Sequence, residues 1–195
     1  MRTREALTIR DVAWLRRTRT CIVGAALCVL ALQGGAAAST VSPCATGDLA
    51  LSAGAPISPA TGEHGLILRL TNHAKRSCTL FGYPGVSFYW RHRLLPFRSV
   101  WGGRYGTNGK PRTVRLHPSE RASFIVAKSR CDVGVVRTAT QVRVYAPNTT
   151  KQLRLRLHAG QGVSDISYCR AFHGPNPADP GNTLSVSPVS RASYP

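Results

Sequence analysis

The sequence predicts an all-β fold, an antiparallel immunoglobulin-like β-sandwich of about seven to nine strands in one domain. Three observations predict it. Apolar and polar residues alternate in several short segments, turn-forming residues separate these segments, and no segment after residue 40 carries apolar residues at helical spacing. An alternation with a period of two residues is typical of a strand that is buried on one side only.

The strand segments differ in how clearly they alternate. The clearest are 66–71, 114–116, 142–144 and 153–157, where apolar residues alternate with arginine or threonine. Weaker candidates are 49–53, 86–90, 122–127 and 184–187. Turn-forming residues follow at 72–74, 83–85, 117–120 and 146–148. Residues 132–139 are expected to form a short helical turn, the glycine-rich segment 99–111 a flexible loop, and the proline-rich segment 173–181 an extended loop.

The first 38 residues have the three parts of a secretory signal peptide. A basic start is followed by the apolar run 21–32, and Ala36 and Ala38 occupy the −3 and −1 positions of a cut after Ala38. The apolar run is shorter than the roughly 20 residues that a membrane-spanning helix needs. We therefore expect a signal peptide at 1–38 and a single domain at 39–195, with its core at about 44–188. The alternative is a leader that is kept as an anchor. The expected location is secreted or extracellular, in association with the cell envelope.

Four cysteines remain after the leader, Cys44, Cys78, Cys131 and Cys169. In an exported chain four cysteines are typical of two disulfides, for which three connectivities exist. We expect Cys44 to pair with Cys78 and Cys131 with Cys169. Each bond would close a loop of about 35 to 39 residues, worth about 3–4 kcal/mol on the chain-entropy model. No metal is expected, because no Cys-x-x-Cys or Cys-x-x-His spacing is present.

No catalytic residue and no cofactor are predicted. The carboxylates after the leader are few and scattered, and the histidines occur singly beside turn residues. The sequence contains no His-Glu-x-x-His, no Gly-x-Ser-x-Gly and no glycine-rich phosphate loop. The chain is therefore expected not to be an enzyme. The alternative is a cryptic hydrolase of envelope polymers, since serine, histidine and aspartate from distant segments can converge in three dimensions.

The excess of positive charge is the feature of this chain that points to a binding chemistry. Its formal net charge is +18, and between Glu63 and Glu120 there is no acidic residue. Arginines at the polar positions of the strands would stand on one outer face, and segment 88–112 interleaves arginine with aromatic residues. Such a surface attracts polyanions, since arginine suits phosphate and carboxylate and also stacks on rings. The alternative is that the charges serve only solubility. The predicted contact residues are Arg69, Arg91, Arg93, Arg98, Trp101, Arg104, Arg115, Arg143, Arg154 and Arg156.

The expected partner is an anionic envelope polymer or lipid headgroups. Nucleic acid is not expected, because an exported protein meets little of it, and a protein partner is left open. The sequence thus predicts an exported, non-enzymatic binding or structural module at the cell envelope.

Several strings of the chain resemble a secreted actinobacterial family described as domain of unknown function 4232. The most specific is 77–86, Ser-Cys-Thr-Leu-x-Gly-Tyr-Pro-Gly-Val, and others lie at 62–72, 114–118 and 184–188. The resemblance spans roughly 44–188 and implies export, disulfides, a β-sandwich and association with the cell surface, but no activity. One departure is Ser119, at a position where members usually have glycine.

Overall fold

The computed structural model describes residues 41–58, 62–103, 106–131, 135–158, 166–169 and 181–191. The chain divides into two units, Met1–Ala38 and Ser39–Pro195. The first unit lies outside the described residues, so the signal peptide, its cut and the anchor alternative stay predictions. No helix in the described ranges has both the length and the apolar character that crossing a membrane requires.

The described part of the chain is built from strands. Thirteen strands and one short 3-10 helix (Thr46–Asp48) are present there, which confirms the all-β prediction but exceeds the seven to nine strands expected, because several short strands do not alternate. The strands are β1 (Leu49–Ile57), β2 (Glu63–Asn72), β3 (Cys78–Leu80), β4 (Gly85–Trp90), β5 (Arg93–Leu94), β6 (Arg98–Trp101), β7 (Val114–Leu116), β8 (Arg121–Ser129), β9 (Val135–Thr138), β10 (Gln141–Tyr145), β11 (Gln152–Arg156), β12 (Ser167–Cys169) and β13 (Thr183–Val186).

The strands form several sheets, and nearly every pairing is antiparallel. A five-stranded sheet has the order β1-β2-β8-β13-β6, and a four-stranded sheet has the order β11-β10-β4-β5. Two further pairs, β12-β9 and β3-β7, are two-stranded sheets. The one parallel pairing among the described strands joins β13 to β6 at an edge of the five-stranded sheet.

One apolar cluster is shared by the two larger sheets. Leu68 of β2 and Phe124 of β8 lie opposite each other in the five-stranded sheet and are fully buried. They belong to the same cluster as Phe88 of β4 and as Val142 and Val144 of β10 in the four-stranded sheet. The alternation in each strand places these residues on one side, and burying them removes apolar surface from water.

Two disulfides join segments that are distant in the sequence. Cys44 and Cys78 are bonded with their Cα atoms 4.8 Å apart, and Cys131 and Cys169 with theirs 5.9 Å apart. These are the two pairs that the sequence analysis expected. The backbone N–H of Cys44 also donates to the carbonyl of Thr79 (2.9 Å), so the segment before β1 lies along β3.

One local prediction was wrong, and a second was right only in part. The helical turn expected at 132–139 is contradicted by Val135–Thr138, which is strand β9 and pairs with β12. The flexible loop expected at 99–111 begins within a strand, since Arg98–Trp101 is β6. Neither Arg98–Trp101 nor Val135–Thr138 alternates apolar and polar residues, and each forms a strand because another segment supplies the hydrogen bonds. The loop expected at 173–181 lies almost wholly outside the described residues.

The turn between β7 and β8 contains a serine with a left-handed backbone. Ser119 has φ 67°, and its N–H donates to the carbonyl of Asn72 (2.7 Å). This conformation costs a residue with a Cβ about 1–2 kcal/mol, whereas glycine adopts it freely. This cost is a physical reason why members of the family that the chain resembles usually have glycine at this position.

Candidate functional site

The predicted contact residues do not lie on one surface. Three arginines share the outer face of the four-stranded sheet, and two belong to the β4–β5 hairpin. The others belong to the five-stranded sheet, to β7, or to no described segment. The outer face of the four-stranded sheet carries Arg143, Arg154 and Arg156, and the β4–β5 hairpin carries Arg91 and Arg93. The five-stranded sheet carries Arg69, Arg98 and Trp101, and β7 carries Arg115. Arg104 lies outside the described residues.

We call Arg143, Arg154 and Arg156 the basic face. Arg143 of β10 lies directly opposite Arg154 of β11, and Gln141 lies opposite Arg156. Arg154 and Arg156 are exposed. Like charges directly opposite each other on antiparallel strands destabilise the pairing. None of the four strands of this sheet contains an aspartate or a glutamate to offset the repulsion.

The guanidinium group of Arg143 is held in place by two neighbours. It lies 3.8 Å from the centre of the Tyr89 ring, and its Nε donates to Oε1 of Gln141 (3.0 Å). A cation over an aromatic ring is stabilised by the charge distribution of the ring. A guanidinium has five N–H donors, and only one has a hydrogen-bond partner among the described residues. Arg143 is therefore oriented while most of its donors stay available.

A second group of cations surrounds Trp90, on the other side of β4; we call Trp90, Arg91 and Arg137 the Trp90 cluster. The guanidinium carbons of Arg91 and Arg137 lie 4.7 Å and 4.5 Å from the ring centre. Arg93 is the residue opposite Trp90 in the hairpin. Sequence reasoning missed Arg137, because it belongs to the segment that was predicted as a helical turn.

Arg91 has a left-handed backbone, with φ 55°. Its N–H donates to Oγ1 of Thr140 (2.8 Å), which fixes the hairpin turn. A non-glycine residue in this region of φ and ψ is uncommon, and such residues gather at functional sites.

The described acidic residues are all on other elements. Asp48 is 3.0 Å from Arg76, and Glu120 is 3.3 Å from Arg191. Glu63 lies on β2 of the five-stranded sheet and is buried. The pKa of Glu120 is lowered, first because the backbone N–H of His117 donates to it (2.9 Å), and then by the positive charge of Arg191. The basic face therefore keeps its positive field.

The described part of the chain brings a serine and a histidine side chain together. Oγ of Ser77 is 3.0 Å from Nδ1 of His117. A nucleophile and base of this kind also need a group that orients the histidine ring and a cavity for the substrate. Glu120 accepts from the backbone of His117 rather than from its ring. Neither the cleft at 108–114 nor the one at 44–47 is lined by Ser77 or His117.

The described residues contain no group of three or more histidine, cysteine, aspartate or glutamate residues that could hold a metal ion. The chemistry that they do bring together is cationic and aromatic. It suits the binding of anions.

Antiparallel sheets, two disulfides and a face of arginines that no described carboxylate contacts define a disulfide-bonded, all-β domain with a basic surface. The chain belongs to the family described as Domain of unknown function (DUF4232), whose model matches residues 44–190. This match confirms the resemblance found in the sequence. A search of curated proteins found no match. A search of solved structures found none either.

Proposed function

We propose that this protein is an exported, non-enzymatic module that binds an anionic polymer of the cell envelope through the basic face. The observation that carries the proposal is the direct pairing of Arg143 with Arg154 in a sheet whose strands have no acidic residue. Such a pair costs stability. A residue choice that breaks a local rule without a local gain is expected at functional sites.

The spacing of the basic face suits a chain of regularly placed anions. Residues directly opposite each other on antiparallel strands have Cβ atoms about 5 Å apart, and successive residues on one face of a strand are about 7 Å apart. Arg143, Arg154 and Arg156 thus place three guanidinium groups within the reach of neighbouring anions on one polymer. Each guanidinium can bind a carboxylate or a phosphate with two parallel hydrogen bonds.

The proposal includes the finer fold and the location. An immunoglobulin-like sandwich is supported by the apolar cluster that the two larger sheets share. Export is supported by the basic and apolar leader together with the two disulfides, since such bonds persist in oxidising compartments. On this view the core is structural, and binding uses the outward side chains of the four-stranded sheet.

The test is the salt dependence of binding to immobilised polyphosphate, a regular polyanion. We compare the exported, oxidised protein with a triple variant, Arg143→Gln, Arg154→Gln and Arg156→Gln. Each lost contact should lower the slope of log affinity against log salt by about 0.7 to 0.9, so the triple variant should lose about two units or more. The midpoint of urea unfolding should stay the same or rise slightly, because the variant removes the repulsion between Arg143 and Arg154.

A matched variant separates a site from net charge. Arg98→Gln, Arg121→Gln and Arg130→Gln together remove the same charge from exposed positions on other elements. This variant should keep most of the slope. An equal loss of slope in both triple variants would show that only net charge matters. Tighter binding to anionic lipid vesicles than to polyphosphate would show that the ligand is a lipid headgroup rather than a polymer.

A further inference from the structure

A cleft lies between the segments 108–114 and 187–191, away from the strands of the four-stranded sheet. Its volume is about 370 Å³, within the range of sites for small ligands. Lys110, Arg112 and Arg191 line it together with the apolar residues Pro188 and Val189. It therefore combines three cations with an apolar wall, and no carboxylate lines it.

The three cations differ in what they contact. Arg191 donates to the backbone carbonyl of Arg115 and lies 3.3 Å from Glu120, so its charge is largely engaged. Lys110 and Arg112 are exposed, and neither has a hydrogen bond or an ion pair within the described ranges. An ammonium and a guanidinium two residues apart suit one carboxylate or phosphate group.

An aromatic pair stands beside the cleft. The ring of Tyr83 stacks on that of Trp101, with centres 5.9 Å apart and planes 12° apart. The hydroxyl of Tyr83 donates to the carbonyl of Gly109 (2.9 Å), which lines the cleft. Trp101 is 71% exposed. It therefore presents a flat ring to solvent from a fixed position, the arrangement that suits stacking against a sugar or another ring.

A buried hydroxyl also lines the cleft. Oγ of Ser190 is removed from solvent and has no hydrogen-bond partner within the described part of the chain. The backbone of Ser190 is fixed by two hydrogen bonds with Ser123 (2.9 and 2.8 Å), so rotation about χ1 is the freedom left to its hydroxyl. Leaving a buried hydroxyl unpaired costs stability. Rotation about χ1 that turns Oγ into the cleft would let a ligand hydroxyl remove that cost.

We propose that this cleft is a second binding site, specific for an acidic oligosaccharide. The carboxylate or phosphate of one sugar unit binds Lys110 and Arg112, and a hydroxyl of that unit pairs with Ser190. The next ring of the chain stacks on Trp101. The site differs from the basic face because it requires a shaped ligand as well as charge.

The test uses calorimetric titration of the full exported protein with trigalacturonate, whose sugar units carry carboxylates. We expect the double variant Lys110→Gln and Arg112→Gln to weaken binding at least tenfold, since charge-assisted hydrogen bonds are the stronger class. Trp101→Ala should also weaken it several-fold, whereas Trp101→Phe should keep most of the affinity because a flat ring remains. Thermal unfolding of each variant checks that the fold is intact.

Controls separate this site from the basic face. Lys75→Gln and Arg130→Gln remove two charges from exposed positions outside the cleft and the basic face and should leave trigalacturonate binding unchanged. The double variant Lys110→Gln and Arg112→Gln should keep its salt dependence on polyphosphate, so either proposal can fail alone. Equal binding of a neutral trisaccharide, binding of inorganic phosphate as tight as that of trigalacturonate, or an equal loss in both double variants would each overturn the cleft as a site for acidic sugars.

Discussion

The outward faces of the two larger sheets differ, although their strands have similar patterns. On the four-stranded sheet, Arg154 and Arg156 face outward and are exposed. On the five-stranded sheet, Ile67, Ile125 and Ala127 also point away from the main core, and they are buried. Alternation thus assigns a side of the sheet to each residue, but it does not say whether that side meets water.

The difference arises from what lies over the five-stranded sheet. Ile57, at the end of β1, packs against Ile67, Ile125 and Ala127. The chain at Gly106 also approaches closely, since a Cβ there would lie 3.8 Å from Cδ1 of Ile125. These segments cover the second face. A small second apolar cluster results, while the four-stranded sheet keeps an outward face of polar and charged residues.

The largest expected effect comes from placing an arginine on the covered face of the five-stranded sheet, compared with placing an isoleucine on the exposed face of the four-stranded sheet. Ile67→Arg puts a charge where the side chain is fully buried, and an uncompensated buried charge costs about 3–5 kcal/mol. Arg143→Ile on the four-stranded sheet should change stability by about 1 kcal/mol or less, because it loses a cation–π contact and relieves the repulsion with Arg154. Urea unfolding of the oxidised protein measures both. Similar costs would mean that Ile67 is not covered in solution.

An effect of intermediate size is expected at the two left-handed residues. Ser119→Gly should raise the free energy of unfolding by about 1 kcal/mol, because the side chain has no hydrogen bond among the described residues and the strain is relieved. Arg91→Gly relieves the same strain but also loses the contact with Trp90, worth about 0.5–1 kcal/mol. Its gain should therefore be smaller. Denaturant midpoints compare the two, and equal gains would show that the Trp90 contact adds nothing.

The smallest expected effect is the pH dependence of stability that Glu120 contributes, in the turn between β7 and β8. The pKa of Glu120 is lower in the folded chain, so its contribution is present above the ordinary carboxyl pKa and is lost as the pH falls through the folded value. Glu120→Gln should therefore lower the melting temperature slightly at pH ~7 and not at pH ~2. Melting curves at both pH values check this. A difference that is independent of pH would assign the effect to hydrogen bonding rather than to charge.

The sequence predicted mainly those strands whose own residues alternate between apolar and polar. The long strands β2 and β8 and the arginine-bearing β10 and β11 were predicted with small errors at their ends. The expected disulfide pairs are also those of the structure. Short strands such as β6 and β9 were missed, since their own residues do not alternate between apolar and polar.

The candidate site was predicted only in part. The arginines of the basic face were named from the sequence, but so were others that lie on different surfaces. The register between β10 and β11 is what sets Arg143 against Arg154, and a shift of one residue would move each side chain to the other face. Lys110 and Arg112 lie within the basic segment 88–112, but nothing in the sequence placed them beside Arg191, because the three come together only through the approach of two irregular segments.

The sequence by itself determined the β class, the expectation of two disulfides and the excess of positive charge, because these depend on alternation within a segment, on the number of cysteines and on composition. Tertiary structure alone decided which cysteines pair, which outward faces are covered, which arginines are neighbours and where a cleft forms. Those properties depend on contacts between segments that are distant in the chain. Ile67 and Arg69 lie two residues apart on the same side of β2, yet packing leaves the isoleucine fully buried and the arginine partly exposed.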